Sequence, residues 1–270
     1  MYHRAVAQPL IVTFGDVLAL ALITPPSSVM PEASIPVDAQ VVVGGQAAIT
    51  ASWVVEAGGL ARAVGARAYD RLGDLVEGDL AERGIELVGP GIDGRTGLVT
   101  VVRPGDALPT ALEDRGVSPE ISAGTLEEGW FADAAVLHVS GYALLDQPSA
   151  GAAERAVELA RAAGARISVD LACANAVSPL VRQRIADLHA DIALATEHQA
   201  HAIDGIDDLA AMHVRSDDGA VVPPSRSLGV GDAFAGGFLS AFAAGGAVDD
   251  AVAYGQELAS RCAEAESPLP

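Results

Sequence analysis

Short apolar runs alternate with longer stretches in which apolar residues recur every three or four positions along this 270-residue chain. The short runs are rich in β-branched residues and predict buried strands, whereas the longer stretches predict helices with one apolar face. Strands that alternate with helices of about 10 to 15 residues indicate βαβ units, and hence a mostly parallel sheet with helices on both faces. We expect strands at residues 10–23, 41–43, 98–102, 135–140, 166–171 and 191–195, and helices at residues 46–64, 76–83, 149–163, 179–188, 232–244 and 248–263.

The first apolar stretch, residues 10–23, also resembles the apolar part of a signal peptide. Only one arginine precedes it, the pair Gly15-Asp16 interrupts it and no clear small-residue cleavage site follows, so we interpret it as a buried strand. It is also shorter than the roughly 20 residues that a membrane-spanning helix needs. We therefore expect a cytoplasmic protein with no membrane partner.

The composition of the chain excludes several kinds of chemistry. Half of the residues are hydrophobic but only 4% are aromatic, so the core must be largely aliphatic. All 16 basic residues are arginines, which excludes a P-loop lysine and a Schiff-base lysine. The formal net charge of −20 argues against a nucleic-acid partner, because binding to phosphates relies on basic surfaces. Cys173 and Cys262 lie far apart, which fits a reducing compartment better than a disulfide framework or a zinc site.

The segment GVGDAFAGGF, residues 229–238, crowds glycines around one carboxylate at the predicted start of a helix. A Gly-x-Gly turn exposes consecutive backbone N–H groups, and a helix N-terminus adds partial positive charge. Gly229, Val230 and Gly231 are therefore a candidate anion hole, and Asp232 is the candidate general base of a phosphoryl transfer. The same residues also suit an ordinary glycine-rich turn in which Asp232 caps a helix, and a motif this short does not separate the two interpretations.

The wider sequence resembles the ribokinase-like carbohydrate kinases of the phosphofructokinase-B (PfkB) type. Residues 229–242, GVGDAFAGGFLSAF, resemble the GAGDAFxxGF signature of that family. Further similarities occur in the family's order along nearly the whole chain. They are Gly15-Asp16 after the first strand, Gly44-Gly45 before a helix, Asp70-x-x-Gly73, Asp114-Arg115-Gly116, the strand at residues 136–141 and Val169-Asp170.

The resemblance implies a fold. We expect a single domain over residues 1–270, built as a ribokinase-like three-layer α/β/α sandwich with a mostly parallel central sheet. The segments at about residues 17–45 and 92–105 do not fit the strand–helix alternation, and in the resembling family such segments form a small β lid over the sugar.

The resemblance also implies a function, namely an ATP-dependent sugar kinase that uses Mg²⁺. Asp232 would take the proton of the sugar hydroxyl, and the amides of residues 229–231 would hold the transferred phosphoryl group. Asp16, Gly44, Gly45 and Arg115 are the candidate substrate-binding residues. Arg115 could contact a phosphate or carboxylate of the substrate, and it is also interpretable as an exposed loop arginine. The expected partners are a small sugar and ATP, and the resemblance allows a homodimer.

The sequence departs from the family's pattern at several positions. Ile49 replaces the asparagine of the family's GGxxxN motif, and Leu20 replaces an aspartate that follows the first strand. Thr196 and Gln199 replace the NxxE pattern associated with magnesium and phosphate. The segment between Thr196 and Gly229 is also short for a nucleotide site. Three hypotheses therefore stay open: a sugar kinase impaired by this shortening, a nucleoside kinase, and a non-catalytic relative that binds a sugar or nucleotide.

Two histidines, His198 and His201, follow in the same segment and could share one face of a helix. A metal site needs further ligands at recognisable spacing, and the sequence offers none here. We therefore interpret the two histidines as part of a solvated helix face and predict no metal site built from the chain's own residues.

Overall fold

Seven strands form the central sheet of the computed structural model, which describes residues 8–25, 32, 34–103, 109–171, 178–196, 199, 210–215, 228–265 and 267–270. Every neighbouring pair of strands is parallel, so the expected mostly parallel sheet is confirmed. All of the strands therefore end at the same edge of the sheet, where ligands of such folds bind. In spatial order they are β13 (Ala210–Arg215), β12 (Ala190–Ala195), β11 (Arg166–Asp170), β10 (Ala134–Val139), β1 (Leu10–Phe14), β4 (Leu60–Val64) and β6 (Glu86–Val88).

Helices cover both faces of this sheet, which confirms the three-layer α/β/α architecture. One face buries Leu137 and Ile167 under α3 (Ser149–Ala162) and α4 (Pro179–Asp187). The opposite face buries Ile11 and Val136 under four further helices of the described residues. These are α1 (Gln46–Glu56), α2 (Arg71–Glu82), α5 (Val230–Ala243) and α6 (Val248–Glu264). Because both faces are covered, the strands are apolar almost throughout, as their sequence pattern predicted.

A second, four-stranded sheet stands beside the first, in the order β3 (Asp38–Gly44), β2 (Leu18–Thr24), β8 (Thr96–Val102) and β9 (Thr110–Gly116). The pair β2–β8 is parallel and the two outer pairs are antiparallel. One face buries leucine and valine side chains of β2 and β8 and packs against Leu228. The segments expected to form a lid contain β2, β3 and β8, whereas β9 lies outside them. A separate two-stranded parallel sheet consists of β5 (Arg67–Ala68) and β7 (Gly91–Ile92).

The helix expected at residues 46–64 is wrong in its second half. Helix α1 ends at Glu56, and residues 60–64 form β4, which pairs with β1 along its full length. Gly58 has a φ of +84°, a left-handed conformation that glycine adopts easily and that terminates many helices. The buried residues of β4 continue the apolar pattern of the helix, so periodicity alone did not reveal the change.

The single strand expected at residues 10–23 is also wrong, because these residues form β1 and β2 in two different sheets. The chain passes between the sheets at Gly15. A Cβ atom at Gly15 would lie 2.7 Å from the Cβ of Ser140, so the crossing leaves no room for a side chain.

Several further expectations concern the edge of the central sheet, the cysteines, the two histidines and the membrane. We expected no strand between residues 196 and 229, yet residues 210–215 form the edge strand β13 of the central sheet. Cys173, His198 and His201 lie outside the described residues, whereas Cys262 is buried. In the part of the chain that is described, no helix is long and apolar enough to cross a bilayer.

Helices α1 and α5 pack closely at Gly236, and this contact predicts an effect on stability. A Cβ atom at Gly236 of α5 would lie 2.6 Å from the Cβ of Trp53 and 2.8 Å from its carbonyl carbon, so Gly236→Ala forces α1 and α5 apart. We expect this variant to lose about 1–3 kcal/mol of unfolding free energy, as overpacked cores do. Urea denaturation measures the loss.

Gly78→Ala is the matched control, because Gly78 is an exposed helical glycine with no atom within 4 Å of the added Cβ. Alanine stabilises such a position by up to about 1 kcal/mol, since it has the higher helix propensity. Equal effects of the two substitutions would contradict the close packing of α1 on α5.

Candidate active site

A cavity of about 130 Å³ lies between the second sheet and the first turns of α1 and α5. Its walls present more apolar than polar surface, although the polar side chains are slightly more numerous. The aliphatic residues are Leu18, Leu20, Ile49, Val99 and Leu228, and the polar ones are Asp16, Gln46, Glu113, Arg115, Tyr142 and Asp232. The structure thus brings three of the predicted site residues, Asp16, Arg115 and Asp232, to one cavity, together with Gly45.

Asp232 is the third residue of α5 and reaches the cavity from the end of the central sheet. Its Oδ1 accepts a hydrogen bond of 2.9 Å from the hydroxyl of Thr50, a buried residue of α1. Burial and the neighbouring carboxylate of Asp170 raise the pKa of Asp232 to about 8, and the bond from Thr50 only partly offsets them. A carboxyl with this pKa is suited to take and return a proton near neutral pH.

The glycine turn before Asp232 leaves backbone N–H groups open at the start of α5. Gly229 is the N-cap residue, with a left-handed φ of +86° and no side-chain cap. The first N–H groups of a helix have no partner within the helix, so those of Val230 and Gly231 are available to an anion. A Cβ atom at Gly231 would have no atom within 4 Å, which means that the space in front of the turn is open. The geometry suits the predicted anion hole.

The C-terminal tail, Ser267–Pro270, supports the same turn from behind, a role that the sequence did not predict. A Cβ atom at Gly229 would lie 2.7 Å from the Cβ of Pro268, so the turn rests directly on the tail. The indole N–H of Trp53 donates a hydrogen bond of 2.8 Å to the carbonyl of Pro268, and Leu269 is buried in the core below. The tail thereby ties α1 to the start of α5.

Asp16 and Arg115 form a bidentate ion pair across the cavity wall. The Nε of Arg115 lies 2.7 Å from Oδ2 of Asp16, and its Nη2 lies 2.9 Å from Oδ1. Its Nη1 donates to Asp146 at 2.7 Å, and its Nη2 also donates to the carbonyl of Tyr142 at 3.0 Å. Burial alone would lower the pKa of Arg115, but the hydrogen bond and charge of Asp16 raise it overall.

These contacts define the role that Arg115 can play. All three of its guanidinium nitrogens already have protein acceptors, and two of the acceptors are carboxylates. Arg115 therefore joins β9 of the second sheet to the chain after β1. Its side chain is largely buried, so it is not an exposed loop residue, whereas its contact with a phosphate or carboxylate of the substrate stays a prediction.

Gly44 and Gly45 form a tight strand-to-helix turn. Gly45 is the N-cap of α1 with a φ of +87°, and a Cβ atom there would lie 2.2 Å from the carbonyl oxygen of Asp16. Gly45 lines the cavity, whereas Gly44 packs against Leu20 of β2. Ile49, one turn further along α1, presents an aliphatic side chain to the cavity where a hydrogen-bonding residue was expected.

Thr196 and Gln199, the replacements for the family's NxxE pattern, bond to each other. The N–H of Thr196 donates to the side-chain oxygen of Gln199 at 2.7 Å, and the N–H of Gln199 donates to the hydroxyl of Thr196 at 3.1 Å. This reciprocal pattern is a capping box, which stabilises a helix start. The substituted pair therefore has a local structural role at the end of β12.

Three residues near Asp232 were not assigned any role from the sequence: Thr50, Asp170 and His138. Thr50 is a polar residue on the apolar face of α1, and Asp170 ends β11 at the same edge of the sheet. His138 is a buried polar residue within an apolar strand. A polar residue in an apolar stretch was the available signal in each case, but the distances that connect these residues come only from the structure.

A larger groove of about 410 Å³ lies elsewhere, along β8 and β9 and the start of α2. Three of its charged groups already have partners, since Arg95 pairs with Asp114 at 3.0 Å and Asp70 accepts hydrogen bonds from Gly73 and Thr96. The helix start that borders the groove is capped by Asp70, so it does not leave an open anion-binding turn like that before Asp232. The smaller cavity at Asp232 is therefore the better candidate for chemistry.

Comparison with known proteins gives similarity in structure but not in sequence. No family model matches the chain, and no curated protein is significantly similar to it. Among solved structures, it superposes on an adenosine kinase from Sinorhizobium meliloti with a TM-score of 0.83 and 20% identity, covering 98% of this chain and 96% of the other.

Two further solved structures show the same relationship. A ribokinase from Arabidopsis thaliana complexed with ribose and ATP has a TM-score of 0.75 and 15% identity, covering 98% of this chain and 96% of that one. A fructokinase from Xylella fastidiosa with bound ATP has a TM-score of 0.71 and 20% identity, covering 97% and 95%. The expected resemblance is confirmed at the level of structure: this chain has the ribokinase-like fold.

Proposed function

We propose that this protein is an ATP-dependent kinase that transfers the γ-phosphate of ATP to a hydroxyl group of a small carbohydrate, with Asp232 as the general base. The observation that carries the proposal is the placement of Asp232, with its raised pKa, between the open N–H groups of the α5 turn and a cavity of about 130 Å³. ATP-bound neighbours of the same fold support the choice of nucleotide.

The reaction follows from this geometry. Asp232 takes the proton of the acceptor hydroxyl while the hydroxyl oxygen bonds to the γ-phosphorus. The bond from the γ-phosphorus to the oxygen that bridges it to the β-phosphate breaks, and ADP leaves with that electron pair. The N–H groups of Val230 and Gly231 stabilise the negative charge on the transferred phosphoryl group, because they are fixed in place before the reaction.

Mg²⁺ is proposed to enter with the nucleotide rather than as a resident ion. No group of three or more histidine, cysteine, aspartate or glutamate residues that could hold a metal exists within the described part of the chain. Mg²⁺ commonly keeps several waters and is bound through substrate phosphates with only one or two carboxylates, so such a cluster is not required. When bound, it would neutralise phosphate charge.

The size and lining of the cavity support a small carbohydrate as acceptor. Its volume of about 130 Å³ is close to the roughly 150 Å³ that accommodates one benzene ring in an engineered protein cavity. A single sugar ring suits this space better than a two-part nucleoside. One neighbour is an adenosine kinase, however, so a nucleoside kinase is the second candidate, and a substrate panel distinguishes the two.

Replacement of the proposed base gives a direct test. Asp232→Asn is nearly isosteric but cannot accept the proton, so we expect ADP release with the acceptor to fall by about 10²- to 10⁴-fold. The measurement is coupled ADP release over a panel of sugars and nucleosides with Mg-ATP. Asp249→Asn, which changes an acidic residue in the first turn of α6, is the control and should retain activity. Wild-type turnover in Asp232→Asn would exclude Asp232 as the base.

The raised pKa of Asp232 predicts a pH dependence. Asp232 must be ionised to accept a proton, and with a pKa of about 8 only a small fraction is ionised at pH 6. We therefore expect kcat/KM to rise about tenfold per pH unit between pH 6 and 7 and to level off above pH 8. A pH–rate profile of the wild-type protein tests this, and a flat profile from pH 6 to 8 would contradict it.

The anion hole and the short segment before Gly229 together predict how ATP binds. Gly231→Val places a branched side chain in the open space before the turn, so ATP affinity should fall at least about tenfold. The melting temperature should change little, since Gly231 has ordinary helical backbone and no close neighbours. Gly124→Val, at an equally open glycine far along the chain, is the control.

Calorimetry with Mg-ATP measures both the loss of ATP affinity in Gly231→Val and the ATP affinity of the wild-type protein. Because the segment before Gly229 is short, we expect weak binding that depends more on the triphosphate than on adenine. Micromolar binding with a clear preference for adenine would contradict an impaired nucleotide site. Undetectable ATP binding, together with thermal stabilisation by a sugar, would support a non-catalytic binding protein instead.

A further inference from the structure

Trp53 of α1 reaches the C-terminal tail through a buried hydrogen bond. Its indole N–H donates to the carbonyl oxygen of Pro268 at 2.8 Å, and only 2% of the residue is exposed. A buried indole needs an acceptor for its N–H group, because an unpaired polar group in an apolar core costs free energy. The tail supplies that acceptor, so the bond binds α1 and the tail to each other.

The carbonyl oxygen of Pro268 depends on Trp53 for its strong donor. A buried backbone carbonyl is also costly to leave unpaired. The thiol of Cys262 faces the same oxygen, but its Sγ lies 4.0 Å away, and a thiol is a weak donor. Within the described part of the chain, the indole N–H therefore provides the contact that fixes the position of this carbonyl.

The tail itself is stiff. Proline fixes its own φ and restricts the residue before it to extended conformations, so Pro268 and Pro270 leave residues 267–269 little freedom. The N–H of Leu269 donates to the hydroxyl of Ser267 at 3.3 Å, and the Leu269 side chain is buried in the core that α1 and α5 share. A displacement of Pro268 is therefore passed on to its neighbours rather than absorbed within the tail.

The turn at Gly229 lies directly against Pro268. A Cβ atom at Gly229 would lie 2.7 Å from the Cβ of Pro268 and 2.9 Å from its carbonyl oxygen, the same atom that Trp53 holds. The carbonyl of Gly229 accepts the first hydrogen bond of α5, from the N–H of Ala233 at 2.8 Å. A shift of the Pro268 carbonyl would therefore move Gly229, and with it the two open N–H groups that follow.

We propose that Trp53 is a positioning residue, which fixes the direction of the backbone N–H groups of Val230 and Gly231 through the C-terminal tail. Trp53 is not among the residues that line the cavity, so it acts through Pro268 and Gly229. This inference rests on the proposed function, in which those N–H groups stabilise the transferred phosphoryl group.

The same face of α1 also holds the proposed base. Thr50 lies three residues before Trp53, on the same side of the helix, and donates to Asp232. Trp53 further contacts α5 directly, since a Cβ atom at Gly236 would lie 2.6 Å from the Cβ of Trp53. Because donors that are fixed before the reaction stabilise developing charge best, loss of this support should slow phosphoryl transfer more than it weakens acceptor binding.

Amide hydrogen exchange of the full-length protein, measured without any ligand, tests the structural link. Trp53→Phe keeps an aromatic ring in the core but removes the indole N–H. We expect the N–H of Ala233, which closes the first turn of α5, to exchange about tenfold faster in this variant, because the tail no longer opposes local opening. This acceleration should exceed that of the slowest amides of β1 and β10, which report on global unfolding.

Trp130→Phe is the matched control, because it makes the same chemical change against the core on the opposite face of the sheet. It should not accelerate Ala233 relative to β1 and β10. If Trp53→Phe does not fold, Leu269→Ala is the second variant, since it loosens the tail from the core and should accelerate Ala233 in the same way. An acceleration at Ala233 no larger than that of β1 and β10, in whichever variant folds, would overturn the proposal.

The kinetic readout separates this inference from the proposed function. In an active kinase, Trp53→Phe should lower kcat by about 10- to 100-fold and leave the KM of the acceptor unchanged, because the cavity wall stays intact. A merely structural role would reduce the amount of folded enzyme without changing kcat per folded molecule, and that result would overturn the positioning role. If no acceptor is phosphorylated but Ala233 exchanges faster as expected, the proposed function fails and the link from Trp53 to the turn stands.

Discussion

The burial of one carboxyl group at the first turn of α5 is the constraint on which the rest of the site depends. An aspartate at a helix start is ordinarily favoured in its ionised form, because the helix N-terminus is positive. At Asp232 the loss of water and the charge of Asp170 outweigh that effect, and its pKa rises. The same turn leaves backbone N–H groups uncapped. The proposed base and the proposed anion hole are thus held within one helical turn.

Several distant parts of the chain hold this turn in place. Thr50 fixes the carboxyl from α1, and Trp53, one turn later, binds the C-terminal tail on which Gly229 rests. The ion pair of Asp16 with Arg115 fixes the second sheet against the chain after β1. Catalysis by fixed dipoles requires such rigidity, since donors that must reorganise during the reaction stabilise charge poorly. The tail and the ion pair therefore contribute to the site without being required to touch a substrate.

The sequence was most informative where a local rule determines the structure. The apolar runs predicted β10, β11 and β12 of the central sheet, and the glycines around Asp232 predicted the turn at the start of α5. It was least informative where two segments far apart in the chain meet. β4 looked like the end of α1, because its pairing with β1 is not encoded in periodicity. Arg115 was interpretable as an exposed loop arginine, because its partners Asp16 and Asp146 are distant in sequence.

The aliphatic cavity wall connects the departures from the family pattern to the chemistry of the base. Leu20 and Ile49 remove groups that could hydrogen-bond a sugar, which weakens recognition of individual hydroxyls. The same two side chains line the cavity beside Asp232, where they help to exclude water. A drier site raises the pKa of a carboxyl and strengthens every electrostatic interaction within it. In the proposed kinase, the two aliphatic side chains therefore favour a protonated resting base, and we expect the choice of acceptor to depend chiefly on its shape.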